Sequence, residues 1–356
     1  MTDVTASPPA SRLPDWPTAN PPPTATGRLK VRPEDFVVDE LLDLELTGSG
    51  EFLWLRVAKR AINTADVAKL LAKDAGLPAR AVSYSGLKDR QAAAAQWFSL
   101  HLPGLPDPDL PDELCPGVEI LDRVRHQKKL RSGTHRANRF QILLRDCHLE
   151  LDDLSRRCEQ VSREGVPNYF GAQRFGRNGD NLRQVQGWYA ARQSGQRSRR
   201  RGRHLEGLLH STARAFLFNE VLAERVRDGD WAKGRDGDIW MLAGTRSIFG
   251  PESMTDELRA RCVAGDVAPT GPLYGRAGGT LWPVWEQALL ERHPELTGGL
   301  DAAGARPARR RLSVRPHNFQ WAVDGDQFTL SFELARGEFA TVVLRELIDV
   351  DAQSVR

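Results

Sequence analysis

Alternation of side-chain character dominates the early part of the chain. Leu53, Leu55 and Val57 interleave with Phe52, Trp54 and Arg56, and Phe140, Ile142 and Leu144 interleave with Gln141, Leu143 and Arg145. A period of two predicts strands. Segments 81–85 and 96–100 read as strands too. One helix interrupts them: Asn63 can cap it, Asp66 sits in its first turn, Val67, Leu70 and Leu71 share a face, and Gly76-Leu77-Pro78 stops it. A second helix is predicted over 152–164, with Leu154, Cys158 and Val161 on one side and Gly165 as the stop. From about 165 to 312 the chain turns rich in Arg and Gly. Leu205, Leu208, Leu209, Thr212, Phe216 and Leu217 form a helical stripe there. The stretch 255–312 has many Gly and Pro and little periodicity. Strand patterning returns with Phe328, Leu330, Phe332 and Leu334, and Gly337 then leads into a helix carrying Phe339, Val342, Val343 and Leu347. Strand-rich ends around a different middle point to one sheet with a domain inserted in it. Residues 1–23, rich in Pro, Ser, Thr and Ala, read as a flexible tail, with order beginning near Thr26.

The length of 356 residues fits about two domains. No run of 18 apolar residues occurs, which excludes a transmembrane helix. The N-terminus lacks the basic start and apolar core of a secretory signal, so a cytoplasmic location is expected. Cys115, Cys147, Cys158 and Cys262 form no CxxC and no metal-ligand spacing, and read as reduced, buried side chains. Gly171 and Gly176 have the spacing of a phosphate loop, but Arg177 follows where lysine is required. There is no GxSxG elbow, no HExxH and no histidine pair at helical spacing. Metal and triad chemistry are therefore poorly supported, and no metal or cofactor is expected.

Fifty Lys and Arg against 47 Asp and Glu give a net charge of only +3. The charge is nevertheless clustered. Arg123, Arg125, Lys128, Lys129, Arg131, Arg136 and Arg139 crowd one stretch, with Asp122 the only acid inside or beside it. Arg197, Arg199, Arg200, Arg201 and Arg203 form a second cluster, and Arg306, Arg309, Arg310, Arg311 and Arg315 a third. Phosphate backbones respond to local field and not to net charge, so three such clusters favour a polyanionic partner. Gly133 interrupts strand-like flanks in the first cluster, which predicts a basic hairpin tip. Lys128, Lys129, Arg131 and Arg136 are its candidate RNA-backbone contacts.

One short segment, Gly86-Leu87-Lys88-Asp89-Arg90-Gln91-Ala92, sets an aspartate between two cations on a loop between two strand-like runs. Sequence neighbours need not face one another, so Lys88 and Arg90 are not automatically its partners. Taken alone, an Asp in a turn is usually structural. Other segments change its meaning: Thr26-Gly27-Arg28-Leu29-Lys30, Arg32-Pro33-Glu34-Asp35-Phe36, Ala137-Asn138-Arg139-Phe140, the block from Val166 to Gly176 with Asn181-Leu182, and 339–348. In this order they resemble the TruD family of tRNA pseudouridine synthases over nearly all of 24–350. Residues 1–23 and the 197–203 run do not match that pattern, and 255–312 matches loosely.

The resemblance implies an α+β pseudouridine synthase fold with a largely antiparallel central sheet. It implies a discontinuous catalytic domain over 24–163 and 314–356, interrupted by an inserted α/β domain over 164–313, with tRNA lying between the two. The implied reaction isomerises uridine 13 of tRNA to pseudouridine, with no metal or organic cofactor, and a monomer is the default. Asp89 is then the catalytic carboxylate, able to attack C1′ or to take the 2′ proton. Lys30 is its electrostatic partner, and nearby cations would hold it ionised. Phe36, Asn138 and Phe339 match substrate contacts. Phe140 is similar, or is the wall behind Asp89, and Arg345 pairs with a carboxylate. Tyr169, Phe170 and Phe175 read as packing residues. Two rival readings remain: a base-excising hydrolase, and a non-catalytic tRNA-binding protein.

Overall fold

The computed structural model describes residues 13–195, 202–276 and 282–350. In chain order the first stretch forms β1 (Thr26–Arg28), β2 (Phe36–Leu41), β3 (Phe52–Arg60), α1 (Thr64–Asp74), β4 (Val82–Tyr84), β5 (Ala93–His101), β6 (Glu113–Cys115), β7 (Val118–His126), β8 (Ala137–His148) and α2 (Leu151–Glu164). The middle forms β9 (Val166–Pro167), α3 (Asp180–Gln193), α4 (Arg203–Asp228), β10 (Asp238–Leu242), β11 (Ile248–Glu252), α5 (Asp256–Ala264), β12 (Val267–Leu273), α6 (Val284–Leu290), α7 (Pro294–Ala302), β13 (Ala308–Arg311) and β14 (Ser313–Val314). The chain closes with β15 (His317–Asp324), β16 (Gln327–Ala335), α8 (Ala340–Leu347) and β17 (Asp349–Val350). Two compact units result: 23–162 with 316–356, and 163–315 with the N-terminal segment to Pro22.

The first unit is an α+β structure on one eleven-stranded sheet. Its main order is β15-β16-β8-β2-β5-β3-β7-β6, with β1 beside β8 and β17, and β4 beside β5. Only β2 with β5 and β1 with β17 run parallel; the other pairs are antiparallel. Register fixes which side chains share a face, because cross-strand partners point the same way. Glu40 pairs with Asn138, Val38 with both Phe140 and Ala94, and Ala94 with Lys59. These residues therefore lie on one face, which continues into Leu53, Leu55 and Val57, packed under Val67 and Leu71 of α1. The opposite face carries Trp54 and Trp97, which close over Leu130.

The second unit holds a four-stranded antiparallel sheet, β11-β10-β12-β13, with α4 as its longest helix. Strand β12, Val-Ala-Pro-Thr-Gly-Pro-Leu, is among the elements of this unit that periodicity missed. Two prolines and a glycine hide a strand whose Pro269 carbonyl still accepts from Leu312 N at 2.9 Å. The Gly299 position on α7 lies against the Tyr189 ring, where an added Cβ would collide. Arg309 and Glu286 form a buried two-bond pair at 2.5 and 2.6 Å.

The proposed tail departs from expectation at its C-terminal end. Trp16 is 7 % exposed. It packs on Tyr169, Phe175 and Phe216 and donates its indole N–H to Glu220 at 2.7 Å. A proline-rich composition says little against order when a single tryptophan supplies so much buried area. Residues 1–12 lie outside the described residues.

Candidate active site

Lys30 follows β1 with a positive φ of 57°, a conformation uncommon for a residue with a Cβ. Its side chain, 3 % exposed, forms an ion pair with Asp89 Oδ2. The ammonium also lies 4.6 Å from the centre of the Phe36 ring. A short 3-10 turn, Pro33–Asp35, delivers Phe36 to that place. The turn is locked by Asp35, 1 % exposed, which accepts from Arg32 N at 2.9 Å and pairs with Arg145 at 2.8 Å. Burial alone would push the Asp35 pKa up, but the Arg145 and Arg32 hydrogen bonds outweigh it and hold the carboxyl low.

The loop after β4 is anchored at nearly every residue. Gly86 O accepts from Gln96 Nε2 at 3.2 Å, and Lys88 N donates to Thr64 Oγ1 at 3.0 Å. Lys88 Nζ reaches the fully buried Glu40 carboxylate at 2.5 Å, and Arg90 Nε reaches Ala61 O at 3.3 Å. Neither flanking cation pairs with Asp89. The Asp89 backbone is held from below: Lys59 Nζ donates to Asp89 O at 2.6 Å and to Ile62 O at 2.9 Å. Burial drives the Lys59 pKa down to about 8, with Lys88 adding to the effect and Asp89 opposing it. Asp89 itself is 29 % exposed at its side chain, and its Oδ1 accepts from Gln91 N at 3.0 Å. Each carboxylate oxygen keeps a second lone pair for chemistry.

Phe36 and Phe140 are buried and meet edge to face at 6.0 Å, and Phe140 continues to Phe332 at 5.5 Å. The structure thus joins Lys30, Asp89, Phe36 and Phe140 in one constellation. Asn138 is buried on the same sheet face, cross-strand from Glu40. Phe339 caps α8 and Arg345 occupies its last turn, both half-buried. Lys59, Glu40, Ser85 and His135 escaped the sequence reading. Lys59 and Glu40 carried a signal, since each continues an apolar alternation on the buried face (Leu55, Val57; Phe36, Val38). Ser85 and His135 sit outside the strands, where no periodicity marks them. A separate cavity of about 690 Å³ is lined by Asp39, Arg56, Ala58, Ala95, Arg139 and Gln141, and Asp89 is not among its walls.

The charge clusters need correction. β7 and β8 do not pair; β2, β5 and β3 stand between them, so 127–136 crosses the sheet and is no hairpin tip. Leu130, wholly buried, pins this crossing, as do Trp54 Nε1 to Lys128 O at 2.9 Å and Gly133 N to Ser85 O at 2.6 Å. Acids outside the stretch answer four of its arginines: Asp112 pairs with Arg123 at 2.7 Å and Asp107 with Arg125 at 2.5 Å. Glu333 takes Arg139 at 3.0 Å and Arg136 at 3.6 Å. Lys128, Lys129 and Arg131 stay exposed without an ion pair among the described residues. The third cluster is largely structural: Arg309 is buried on Glu286, Arg310 stacks on Phe170 at 4.2 Å, and Arg311 donates to Leu242 O at 2.7 Å. Arg197, Arg199, Arg200 and Arg201 lie outside the described residues.

No helix among the described residues is long and apolar enough to cross a membrane. The family model for tRNA pseudouridine synthase D (TruD) matches residues 19–187 and 199–347. A tRNA pseudouridine synthase D of Chromohalobacter salexigens is 45 % identical over 341 residues, covering 94 % of this chain and 96 % of that protein. One from Azotobacter vinelandii is 44 % identical, covering 90 % and 91 %. A crystal structure from Methanosarcina mazei described as tRNA pseudouridine synthase D superposes with a TM-score of 0.65 at 18 % identity, over 94 % of this chain and 98 % of that one, and shares the fold. With matches of this identity running almost end to end, the chain belongs to the tRNA pseudouridine synthase D (TruD) family.

Proposed function

We propose that this protein isomerises uridine 13 of tRNA to pseudouridine, with Asp89 as the catalytic carboxylate. Asp89 carries the reading: it is a partly exposed carboxylate, ion-paired to a sealed lysine, on a loop whose backbone is clamped from beneath. That combination holds a reactive oxygen in a fixed place. Relatives named tRNA pseudouridine synthase D support the substrate class, and the motif resemblance supplies position 13.

In the reaction the N1–C1′ bond breaks, the uracil turns, and C5 bonds to C1′. The C5 proton leaves and N1 acquires one. The Asp89 carboxylate either attacks C1′ or removes the 2′ proton, and in both routes it acts ionised, with Lys30 as the counter-charge. The uridine leaves its stack to reach that oxygen. Phe36, Phe140 and Phe339 then bound the base with apolar surface, and Asn138 meets its polar edge. Lys128, Lys129 and Arg131 contact the RNA backbone. We assign the catalytic domain to 24–163 and 314–356 and the inserted domain to 164–313. We place the reaction in the cytoplasm, in a monomer that uses no metal or organic cofactor.

The test uses tRNA tritiated at uracil C5. The expected outcome is tritium released to water, pseudouridine mapped at position 13, an intact strand, and neither tritium release nor pseudouridine from Asp89→Ala, which still binds tRNA. Free uracil would identify a base-excising hydrolase. Full activity in Asp89→Ala would overturn the assignment of Asp89.

A further inference from the structure

Asn138 is 8 % exposed, and its Oδ1 has no hydrogen-bond partner among the described residues. A bare buried acceptor is destabilising, because its hydrogen bonds to water are lost without replacement. Its other end is engaged: Nδ2 lies 3.4 Å from His135 Nε2. His135 is itself buried, and its Nδ1 lies 2.6 Å from Ser85 Oγ. Ser85 Oγ in turn donates to Glu40 Oε1 at 2.9 Å. Glu40 also receives Lys88 Nζ at 2.5 Å and Trp97 N at 3.0 Å.

The direction of every hydrogen bond in this chain follows from one end. Glu40, paired with Lys88, only accepts. Ser85 has one hydroxyl hydrogen and gives it to Glu40, so only its lone pairs face His135. Nδ1 of His135 therefore carries the ring hydrogen. A neutral imidazole has one N–H, which leaves Nε2 as an acceptor. Only the amino end of Asn138 can face it. The amide orientation thus rests on the relay and not on telling nitrogen from oxygen.

The groups around the ring favour the neutral form. Burial is the largest influence and lowers the His135 pKa; Glu40 opposes it, and Lys88 and Arg336 add to it. Protonation would turn Nε2 into a donor. Asn138 would then reverse, and the unpartnered acceptor would become an N–H.

We propose that the buried relay Glu40–Ser85–His135 is a specificity device: it fixes the Asn138 amide with Nδ2 on His135 and the unpartnered Oδ1 at the other end, keeping an acceptor for the N3–H that uracil has and cytosine lacks. His135 is then a positioning residue. The idea rests on the proposed function, in which Asn138 meets the base.

Two sets of measurements test it on the full chain. The first is ring nitrogen NMR of histidine-labelled protein near neutral pH, with His135 assigned by its loss in His135→Gln. The expected state is neutral with the hydrogen on Nδ1; a hydrogen on Nε2, or a charged ring, overturns the relay. This arm needs no catalysis, so it decides the relay even if wild type makes no pseudouridine and the proposed function falls. The second is single-turnover isomerisation against pH. Wild type should show an acid limb set by His135; in His135→Gln, whose amide oxygen replaces Nε2 as an acceptor and takes up no proton, that limb should move to lower pH, where protonation of Asp89 ends activity. An unchanged limb in that variant refutes the proposal. His135→Leu should lose roughly 10²-fold in rate with tRNA binding nearly unchanged. It should also lose about tenfold of the preference for target uridine over target cytidine in binding competition. Wild-type rate or preference in a folded His135→Leu protein would refute it, and if that variant does not fold the glutamine pH profile decides.

Discussion

Replacing Lys59 by methionine separates the anchoring of Asp89 from the chemistry proposed for it. The side chain is almost wholly buried and reaches only backbone carbonyls, Asp89 O at 2.6 Å and Ile62 O at 2.9 Å. Hydrogen bonds from a charged donor contribute about 1.5–3 kcal/mol each, so losing both costs about 4–5 kcal/mol. Against this stands the penalty of burying the ammonium. A pKa lowered from 10.5 to about 8 corresponds to about 3 kcal/mol at neutral pH, which methionine recovers. The net destabilisation is therefore small, about 1–2 kcal/mol by urea titration. The loop nevertheless loses the contact that fixes the Asp89 backbone, and a displacement of about 1 Å at a reacting group costs roughly 10²-fold in rate. Single-turnover tritium release should fall by about that factor while tRNA affinity stays within about threefold. The stability difference should also depend on pH. Unfolded Lys59 titrates near 10.5 and folded Lys59 near 8, so between these values the unfolded chain holds the extra proton. The Lys59 contribution is thus fully present above the unfolded value and lost as pH falls through about 8, and the wild-type advantage over Lys59→Met should grow with pH across that window. A variant with wild-type rate, or a stability gap flat across the window, would refute the reasoning.

Two further outcomes follow from the same structure. Changing Lys128, Lys129 and Arg131 together to alanine should weaken tRNA binding and reduce the slope of log affinity against log salt by about 2–3; an unchanged slope would remove this crossing from the RNA interface. Trp16→Ala should destabilise the protein by about 3–5 kcal/mol in urea titration, since it empties an aromatic cluster formed with Tyr169, Phe175 and Phe216; a loss below about 1 kcal/mol would show that the N-terminal segment is dispensable.

Local information was enough for much of this protein. Alternation at 52–57 and 140–145, helical spacing at 67–71 and 205–217, and the stop at Gly76 are written in neighbouring residues, because side-chain period follows from the backbone geometry of a single element. Motif order was legible for the same reason and pointed to the family. Local pattern failed at β12, where prolines broke a strand held by its neighbours, and at Trp16, where the burying partners lie more than 150 positions away. Sequence proximity is a poor guide to charge pairing. Lys88 and Arg90 flank Asp89 yet bond elsewhere, while Lys30, 59 positions away and the partner that the resemblance implied, supplies the counter-ion. The dense basic stretch has four arginines answered by acids outside it. The chain by itself determined many of its elements and its family. Only the tertiary structure decided which groups touch: Lys59 beneath the Asp89 backbone, and the Glu40–Ser85–His135–Asn138 relay drawn from separate segments. Pairing across a sheet brings together residues whose separation along the chain carries no trace of it.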